Sequence, residues 1–216
     1  YLTRVNWRAM VVHRVNECDE RKGTQSVNRI LAHATRCADH TVFIASWLRD
    51  LHIQQGMHPR AHSIILNGAD TRIFNEDYYT PWHGEGPLRL VTHHWGDHWM
   101  KGFDIYQRLD ERLAHADFAA RFSFRYIGRA PAAFQFQNAE HLGPLSGREL
   151  ARAISHGHVY ITAARNEPAG MHHIEGALCG LPLLYRRSGA LPEYCSGFGI
   201  EFTEADFEEK LEVMHH

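Results

Sequence analysis

Short apolar runs alternate with amphipathic stretches along almost the whole chain, and this alternation limits the fold more than any other feature of the sequence. The first cycle consists of AMVVHRV at residues 9–15, a helical apolar period within residues 23–37, and TVFIA at residues 41–45. Strand and helix signals in this order are typical of parallel sheets covered by helices. The sequence therefore predicts an α/β protein with Rossmann-like parallel sheets.

A polar connection divides the alternation into two parts. Residues 75–87 (NEDYYTPWHGEGP) are rich in proline, glycine and acidic residues, as is typical of exposed links between domains. We expect the C-terminal part of one Rossmann-like domain at residues 1–80 and a nearly complete second domain at residues 87–216. Because the chain begins at Tyr1 without an initiator methionine, we expect a fragment of a longer protein with a truncated first domain.

The second part continues the same pattern. In parallel sheets of this kind ligands bind beyond the carboxyl ends of the strands, so functional residues are expected in the loops after residues 93, 128, 142, 163 and 187. Helix 46–53 and strand 62–66 complete the predicted elements of the first part. Those of the second part are strand 88–93, helix 102–115, strand 122–127, a short strand near 139–142, helix 146–155, strand 158–163, helix 170–179, strand 182–186, a short helix near 190–195, strand 198–202 and helix 203–214.

Composition excludes several classes of protein. With 44% hydrophobic and 22% charged residues, the chain resembles an ordinary soluble globular protein. Its formal net charge of −2 argues against a broad basic surface for nucleic acid. The four cysteines have no zinc-finger spacing and are expected to be reduced. We therefore expect a cytoplasmic protein with no nucleic-acid partner, and peripheral membrane contact through a missing N-terminal part stays open.

The segment NEPAGMHHIEGALCGLP at residues 166–182 places two glutamates, Glu167 and Glu175, around a pair of histidines. The adjacent His172 and His173 would point about 100° apart on a helix, which does not suit one metal ion. The stretch THHWGDH at residues 92–98 could bind a metal only as a loop. Because the chain contains 18 histidines, a metal-binding protein stays an alternative, although no spacing matches a ligand motif.

The same segment favours a site that binds a ligand without a metal. A helix starting at Gly170 would expose unpaired N–H groups that suit a phosphate. Glu175, one turn further on, could accept hydrogen bonds from a ribose diol, and Glu167 could meet a second hydroxyl-rich group. These features predict a nucleotide-sugar site. The two glutamates alone also fit ordinary solvated side chains, so that alternative stays open.

Further motifs follow and precede the glutamate pair in a fixed order. They are Gly180-Leu181-Pro182, Gly189-Ala190-Leu191-Pro192-Glu193, and upstream ADHTVFIASWL (38–48), LNGADTRIF (66–74) and MKGFD (100–104). Two glutamates separated by seven residues, with these motifs around them, resemble the retaining glycosyltransferases of family 4, also called group 1. That family has the GT-B fold of two facing Rossmann-like domains.

The resemblance implies transfer of a hexose from a nucleoside diphosphate sugar to a hydroxyl of a carbohydrate or lipid-linked acceptor, with retention at the anomeric carbon. Such a reaction belongs to polysaccharide biosynthesis, and the resemblance implies neither a metal nor another cofactor. Lys101 would neutralise the diphosphate, and Glu167 would contact the donor sugar near the reacting carbon, so these two are the implied catalytic residues. The implied donor-binding residues are Lys101, Arg129, Leu142, Gly143, Gly170, Met171, His172 and Glu175.

One departure from the family concerns the charge near the diphosphate. The family commonly has an arginine five residues before the lysine, and Gly96 stands there in this chain. Arg129, Arg165 or a nearby histidine could replace it, and Arg129 is favoured because it follows the end of a predicted strand. In the first domain, the polar residues after the first strand are expected to face the cleft. They are His13, Arg14 and Asn16.

Other functions of the same architecture stay open at this point. A nucleotide-sugar epimerase would release free sugar and need no acceptor. A phosphorylase would normally carry a lysine for pyridoxal phosphate in a far longer chain. A catalytically incomplete fragment would bind the nucleotide sugar without turning it over.

Overall fold

Nine strands and nine α-helices alternate over residues 9–215, the part of the chain that the computed structural model describes. The strands are β1 (Val12–Val15), β2 (His40–Phe43), β3 (His62–Ile64), β4 (Leu88–His94), β5 (Phe122–Gly128), β6 (Glu140–Leu142), β7 (Val159–Thr162), β8 (Leu183–Arg186) and β9 (Gly199–Phe202). The helices are α1 (Asp19–Lys22), α2 (Val27–Thr35), α3 (Ser46–Gln54), α4 (Phe103–Leu113), α5 (Ala116–Ala119), α6 (Gly147–Ser155), α7 (His172–Leu178), α8 (Leu191–Cys195) and α9 (Phe207–His215). Two 3₁₀ helices, Glu76–Tyr78 and Trp99–Lys101, complete the elements. The predicted α/β alternation is confirmed.

The largest local difference from the prediction lies between β1 and α2. A helix was predicted over residues 23–37, but Gly23 adopts a left-handed conformation with φ of 66° and ends the short helix α1. The carboxylate of Asp19 accepts hydrogen bonds from the backbone N–H groups of Val27 and Asn28, at 2.9 and 3.0 Å. Asp19 thus satisfies the unpaired amides at the start of α2 from outside the helix, and the helix begins four residues later than predicted.

The strands form two sheets, and all pairs in both sheets are parallel. The first sheet has the order β1-β2-β3, and the second has the order β6-β5-β4-β7-β8-β9. In the second sheet the order reverses between β4 and β7, where the chain crosses from one half to the other. In open parallel sheets the crevice at this reversal, beyond the carboxyl ends of the strands, is where ligands bind.

Apolar side chains cover both faces of the second sheet. One face packs around Phe103, Tyr106 and Tyr126, and the other packs around Ile154 and Leu191. All five side chains are at most 1% exposed. Burial on both faces explains why every residue of β7 and β8 is buried, without the alternation of a strand that has one solvated face.

The first sheet has its own core, which also receives residues from the second half of the chain. Phe43 and Leu48 pack there with Ala169 and Ala190, which follow β7 and β8. The first sheet ends at Ile64 and the second begins at Leu88, so the predicted domain limits at residues 80 and 87 fall in the connection. The two sheets therefore meet at the loops beyond the carboxyl ends of β7 and β8.

Hydrogen bonds fix this junction, and several come from the predicted motifs. The Glu193 carboxylate accepts from the Ser46 backbone N–H at 2.8 Å and from its hydroxyl at 2.6 Å, at the first turn of α3. The Asn67 side-chain amide donates to the Ala169 carbonyl at 2.9 Å. Over residues 9–215, no helix has both the length and the apolar character needed to cross a membrane.

Candidate functional site

Two adjoining cavities lie at the junction, beyond the ends of β4 and β7. The larger, about 430 Å³, runs along the second sheet toward Glu175. The smaller, about 310 Å³, opens between the two sheets and is lined by Glu167. Both cavities share the wall made by Lys101, Gly170 and Met171. A ligand long enough to fill both would pass that wall and contact the two glutamates at different points.

Lys101 is placed by a tight turn at the start of α4. It ends the 3₁₀ helix Trp99–Lys101, and the next residue, Gly102, has φ of 101°. A Cβ atom on Gly102 would lie 2.5 Å from the backbone carbon of Ala163, so only glycine allows this turn to pack against the end of β7. The packing brings the Lys101 ammonium within 3.2 Å of Glu167 Oε2. Lys101 is thus a largely buried side chain rather than a surface lysine.

Glu167 is buried between two cations, and one of them comes from the first sheet. Its side chain is 5% exposed, and Oε2 lies 3.2 Å from Lys101 Nζ and 3.4 Å from Arg21 Nη2. Burial alone would raise the pKa of Glu167, but the charges of Lys101 and Arg21 lower that pKa below its ordinary value. The carboxylate is therefore ionised at neutral pH.

Arg21 also contacts the loop that follows β4. Its Nη1 group donates to His98 Nε2 at 2.7 Å. Burial, followed by the charges of Arg21 and Lys101, lowers the pKa of His98 to about 4. His98 is then a neutral acceptor at pH 7, and it adds no charge to the site. Burial likewise lowers the pKa of Lys101, and Glu167 partly offsets that effect.

Glu175 has different surroundings. Its Oε2 accepts a hydrogen bond of 2.6 Å from His93 Nε2, since an ionised carboxylate can only accept. The other ring nitrogen of His93 then accepts from the Tyr160 hydroxyl at 3.0 Å. Tyr160 is fully buried, so the chain of hydrogen bonds anchors Glu175 to the centre of the second sheet. Glu175 lines the larger cavity, and within residues 9–215 no hydrogen bond to its other carboxylate oxygen is seen.

Three further histidines are buried at the site, and two of them, His94 and His172, line the larger cavity. The rings of His94 and His172 lie 4.5 Å apart, and His172 Nε2 is 2.8 Å from the Thr162 hydroxyl. Neither ring nitrogen of His173 has a hydrogen-bond partner among the described residues. Burial lowers the pKa of His173 to about 4 and places the pKa values of His94 and His172 well below 6.5. All three are neutral at pH 7.

The metal-binding alternative finds no support in the described part of the chain. Strand β4 extends to His94, so His93 and His94 belong to a strand rather than to the loop that a metal would need. Over residues 9–215, no group of three or more His, Cys, Asp or Glu side chains could hold a metal ion.

The predicted donor-binding residues separate into two groups. Those that line the larger cavity are Lys101, Gly170, Met171, His172 and Glu175. Leu142 and Gly143 immediately precede the lining segment 144–147 and do not line the cavity themselves. The exposed Arg129 stacks its guanidinium over the Trp95 ring at 4.9 Å. The predicted substitute cation thus lies at the rim of the larger cavity, beside its lining residue Trp95, and no ion pair joins it to Glu167 within residues 9–215.

The predicted start of the helix after β7 is wrong. Helix α7 has seven residues and begins at His172, while Gly170 and Met171 precede it. A Cβ atom on Gly170 would lie 2.4 Å from His172 Nδ1, so glycine is required there. Because α7 is so short, its start is not by itself an anion site.

The polar residues expected after the first strand divide similarly, although His13 and Arg14 lie within β1 itself. Arg14 and Asn16 line the smaller cavity, as predicted for the cleft, and Arg14 donates to Asn67 Oδ1 at 2.8 Å. His13 instead contacts the Thr35 hydroxyl at 2.9 Å, beside α2. Arg21 was missed by the sequence analysis because it lies in the charged run CDERKG, which reads as a solvated turn. Its place soon after a predicted strand end is the one signal that could have indicated it.

No protein-family model matches this chain, and no curated protein matches it. Solved structures do. The Anabaena protein HepE, in complex with UDP and glucose, superposes with a TM-score of 0.75 at 15% identity over 99% of this chain and 62% of that one. Sucrose-phosphate synthase from Thermosynechococcus elongatus gives 0.70 at 14% identity over 99% and 60%. The fold is of the GT-B type.

A third likeness extends the same observation. The pneumococcal O-GlcNAc transferase GtfA, in complex with UDP and GlcNAc, superposes with a TM-score of 0.68 at 14% identity, over 99% of this chain and 46% of that one. At such identities the likeness establishes the fold alone. The chain spans 62% and 60% of the length of the first two structures, so it corresponds to part of such a protein.

Proposed function

We propose that this chain is part of a retaining, metal-independent glycosyltransferase that moves a hexose from a nucleoside diphosphate sugar to a hydroxyl acceptor. One observation carries the proposal: two adjoining cavities share a wall at Lys101 and Gly170, and each leads to one of the two glutamates. The wall lies at the reversal of strand order, where ligands bind in open parallel sheets. The bound UDP and glucose in the similar structure of HepE are consistent with such a donor.

The roles of the residues follow from their surroundings. The diphosphate would lie at the shared wall, where the Lys101 ammonium can neutralise it. The ribose would extend into the larger cavity, and its hydroxyls would donate to the other carboxylate oxygen of Glu175. The sugar would enter the smaller cavity beside Glu167. The acceptor would approach it from the side of the first sheet. When the bond between the anomeric carbon and the diphosphate breaks, negative charge grows on the leaving group, and preformed cations stabilise that charge most.

The wider setting of the reaction is also a proposal. A hydroxyl acceptor of the carbohydrate or lipid-linked class would place the activity in polysaccharide biosynthesis in the cytoplasm, at a membrane surface when the acceptor is lipid-linked. No cofactor is proposed, since the side chains at the shared wall supply the positive charge that a metal would otherwise bring.

Calorimetric titration with UDP and GDP tests the nucleotide site. We expect the wild type to bind one of them, and Glu175→Ala to weaken that binding about 10- to 100-fold, because a hydrogen bond to a charged group is lost. Glu209→Ala, which removes an exposed glutamate from α9, is the matched control and should bind as the wild type does. Failure of the wild type to bind either nucleotide would remove the basis of the donor assignment.

A product assay with a panel of sugar donors tests the reaction itself. Transfer to a hydroxyl with retained anomeric configuration, observed by NMR, is the expected result. Release of free sugar with altered configuration would identify an epimerase instead. Binding without turnover, in a longer chain that includes the rest of the first domain, would indicate a binding protein.

A further inference from the structure

The junction between the sheets contains more positive than negative charge. Arg21 and Lys101 both contact the same oxygen, Oε2 of Glu167. Their side chains are 6% and 14% exposed, so water screens them poorly. His98, the other partner of Arg21, is neutral at pH 7. Two cations thus share one carboxylate, and buried charge without a partner is costly.

The other carboxylate on this cavity, Glu17, is itself shared between cations. Burial lowers the pKa of Lys101 and the charge of Glu17 acts against that lowering, while Glu17 Oε1 lies 3.6 Å from Lys22 Nζ. The guanidinium of Arg21 has five N–H donors, and its contacts with His98 and Glu167 use only some of them. Three cations, Arg14, Arg21 and Lys101, therefore line this cavity together with only two carboxylates, Glu17 and Glu167, so positive charge is in excess there.

We infer that Arg21 and Lys101 form one binding site for the diphosphate group of a nucleoside diphosphate, with each sheet supplying one cation. This inference rests on the proposed function and adds a residue to it. In the free protein Glu167 occupies the cations; with the nucleotide bound, the diphosphate oxygens take over part of that role. Arg21 comes from α1, directly after β1, so the bound diphosphate contacts both sheets.

The loop that carries Glu167 is held in a form that suits this site. Asn166 has φ of 49°, a left-handed conformation that non-glycine residues adopt rarely. Its side-chain amide donates to the Glu20 carbonyl of α1 at 3.1 Å, and its backbone N–H donates to the Ser188 hydroxyl at 2.8 Å. The loop after β7 is thus fastened to the same short helix that supplies Arg21.

Titration of UDP, uridine and inorganic pyrophosphate against wild type and Arg21→Ala tests the inference. We expect the variant to bind UDP and pyrophosphate about 10- to 100-fold more weakly. Uridine affinity should change by less than about twofold, because uridine lacks the phosphates; this also shows that the variant is folded. Guanidinium ion added to Arg21→Ala should restore part of the UDP affinity. Lys22→Ala, which removes a more exposed charge from the next position of α1, should leave UDP affinity within about twofold.

A second background separates contact with the diphosphate from mere positioning of Glu167. In Glu167→Gln the loss caused by Arg21→Ala should persist, and Glu167→Gln alone should retain or strengthen UDP binding. If the effect of Arg21→Ala disappears in that background, Arg21 acts only through Glu167 and the inference is wrong. Unchanged UDP affinity in Arg21→Ala would overturn it as well.

The same titrations distinguish this inference from the proposed function. If the wild type binds pyrophosphate in an Arg21-dependent way but no nucleoside diphosphate tested, the anion site stands and the nucleotide-sugar assignment falls. If the wild type binds UDP and Arg21→Ala binds it equally well, the assignment stands and the role of Arg21 falls. If the wild type binds neither, both fall.

Discussion

Glu167 and Glu175 lie eight residues apart and share one cleft, yet they have opposite surroundings. Glu167 is held by two cations, Arg21 from the first sheet and Lys101 from the second. Glu175 is held by the imidazole of His93, backed by a buried tyrosine hydroxyl, within the second sheet alone. The surroundings of each carboxylate are thus set by the elements that pack against it rather than by its place in the motif. Glu167 forms ion pairs between the two sheets, and Glu175 forms a hydrogen bond within one sheet.

The largest expected effect would come from removing each glutamate in turn. Glu167→Ala leaves two buried cations without a carboxylate, so we expect the free energy of unfolding to fall by about 3–5 kcal/mol. Glu175→Ala breaks one hydrogen bond at the edge of a cavity and should cost about 1–3 kcal/mol. Urea denaturation of both variants measures the difference. Equal losses would mean that the two surroundings do not differ in the way described.

Acid should destabilise the protein through the buried histidines before it neutralises Glu167. The pKa of His173 is about 4 in the folded protein, whereas in the unfolded chain it is near 6.5. Below pH 6.5 the unfolded chain therefore binds a proton that the folded protein excludes, and stability falls toward pH 4, by up to about 1.4 kcal/mol per pH unit for each such histidine. The buried His94 and His172 act in the same direction.

The pair of Glu167 with its cations should persist over the same range. Because the pKa of Glu167 is lowered, its contribution to stability is lost only as pH falls through that lowered value. The loss of thermal stability between pH 7 and pH 5 should thus come from the buried histidines rather than from Glu167. His173→Phe should flatten the pH profile, while His83→Phe, at an exposed position, should leave it unchanged. An unchanged profile in His173→Phe would show that the folded protein protonates this ring.

The smallest effect is expected at the rim. Arg129 is exposed and stacks on Trp95, an arrangement worth about 0.5–1 kcal/mol. Arg129→Ala should therefore weaken UDP binding by less than about fivefold, well below the effect of Arg21→Ala. Calorimetry on the two variants side by side gives the ratio. A larger loss in Arg129→Ala would return the role of second cation to Arg129, the substitute that the predicted strand end favoured.

Much of the fold could be predicted because its signals are local. An apolar run such as 88–93 is buried on both faces of the sheet, and an amphipathic run such as 102–115 packs one side of a helix, so each pattern reports its own element. The errors occur where short polar segments are fixed by distant partners. Helix α1 and the start of α2 depend on the carboxylate of Asp19, which no periodicity reveals.

The sequence by itself determined the alternating order of elements, the cleft beyond the strand ends, and the presence of Lys101, Glu167 and Glu175 near it, because periodicity and motif spacing are properties of neighbouring residues. Only the tertiary structure decided that Arg21 would lie against Glu167 and His93 against Glu175. Those contacts join residues that are 146 and 82 positions apart. Charge in a protein acts through distance in space and through burial, and neither can be read along the chain.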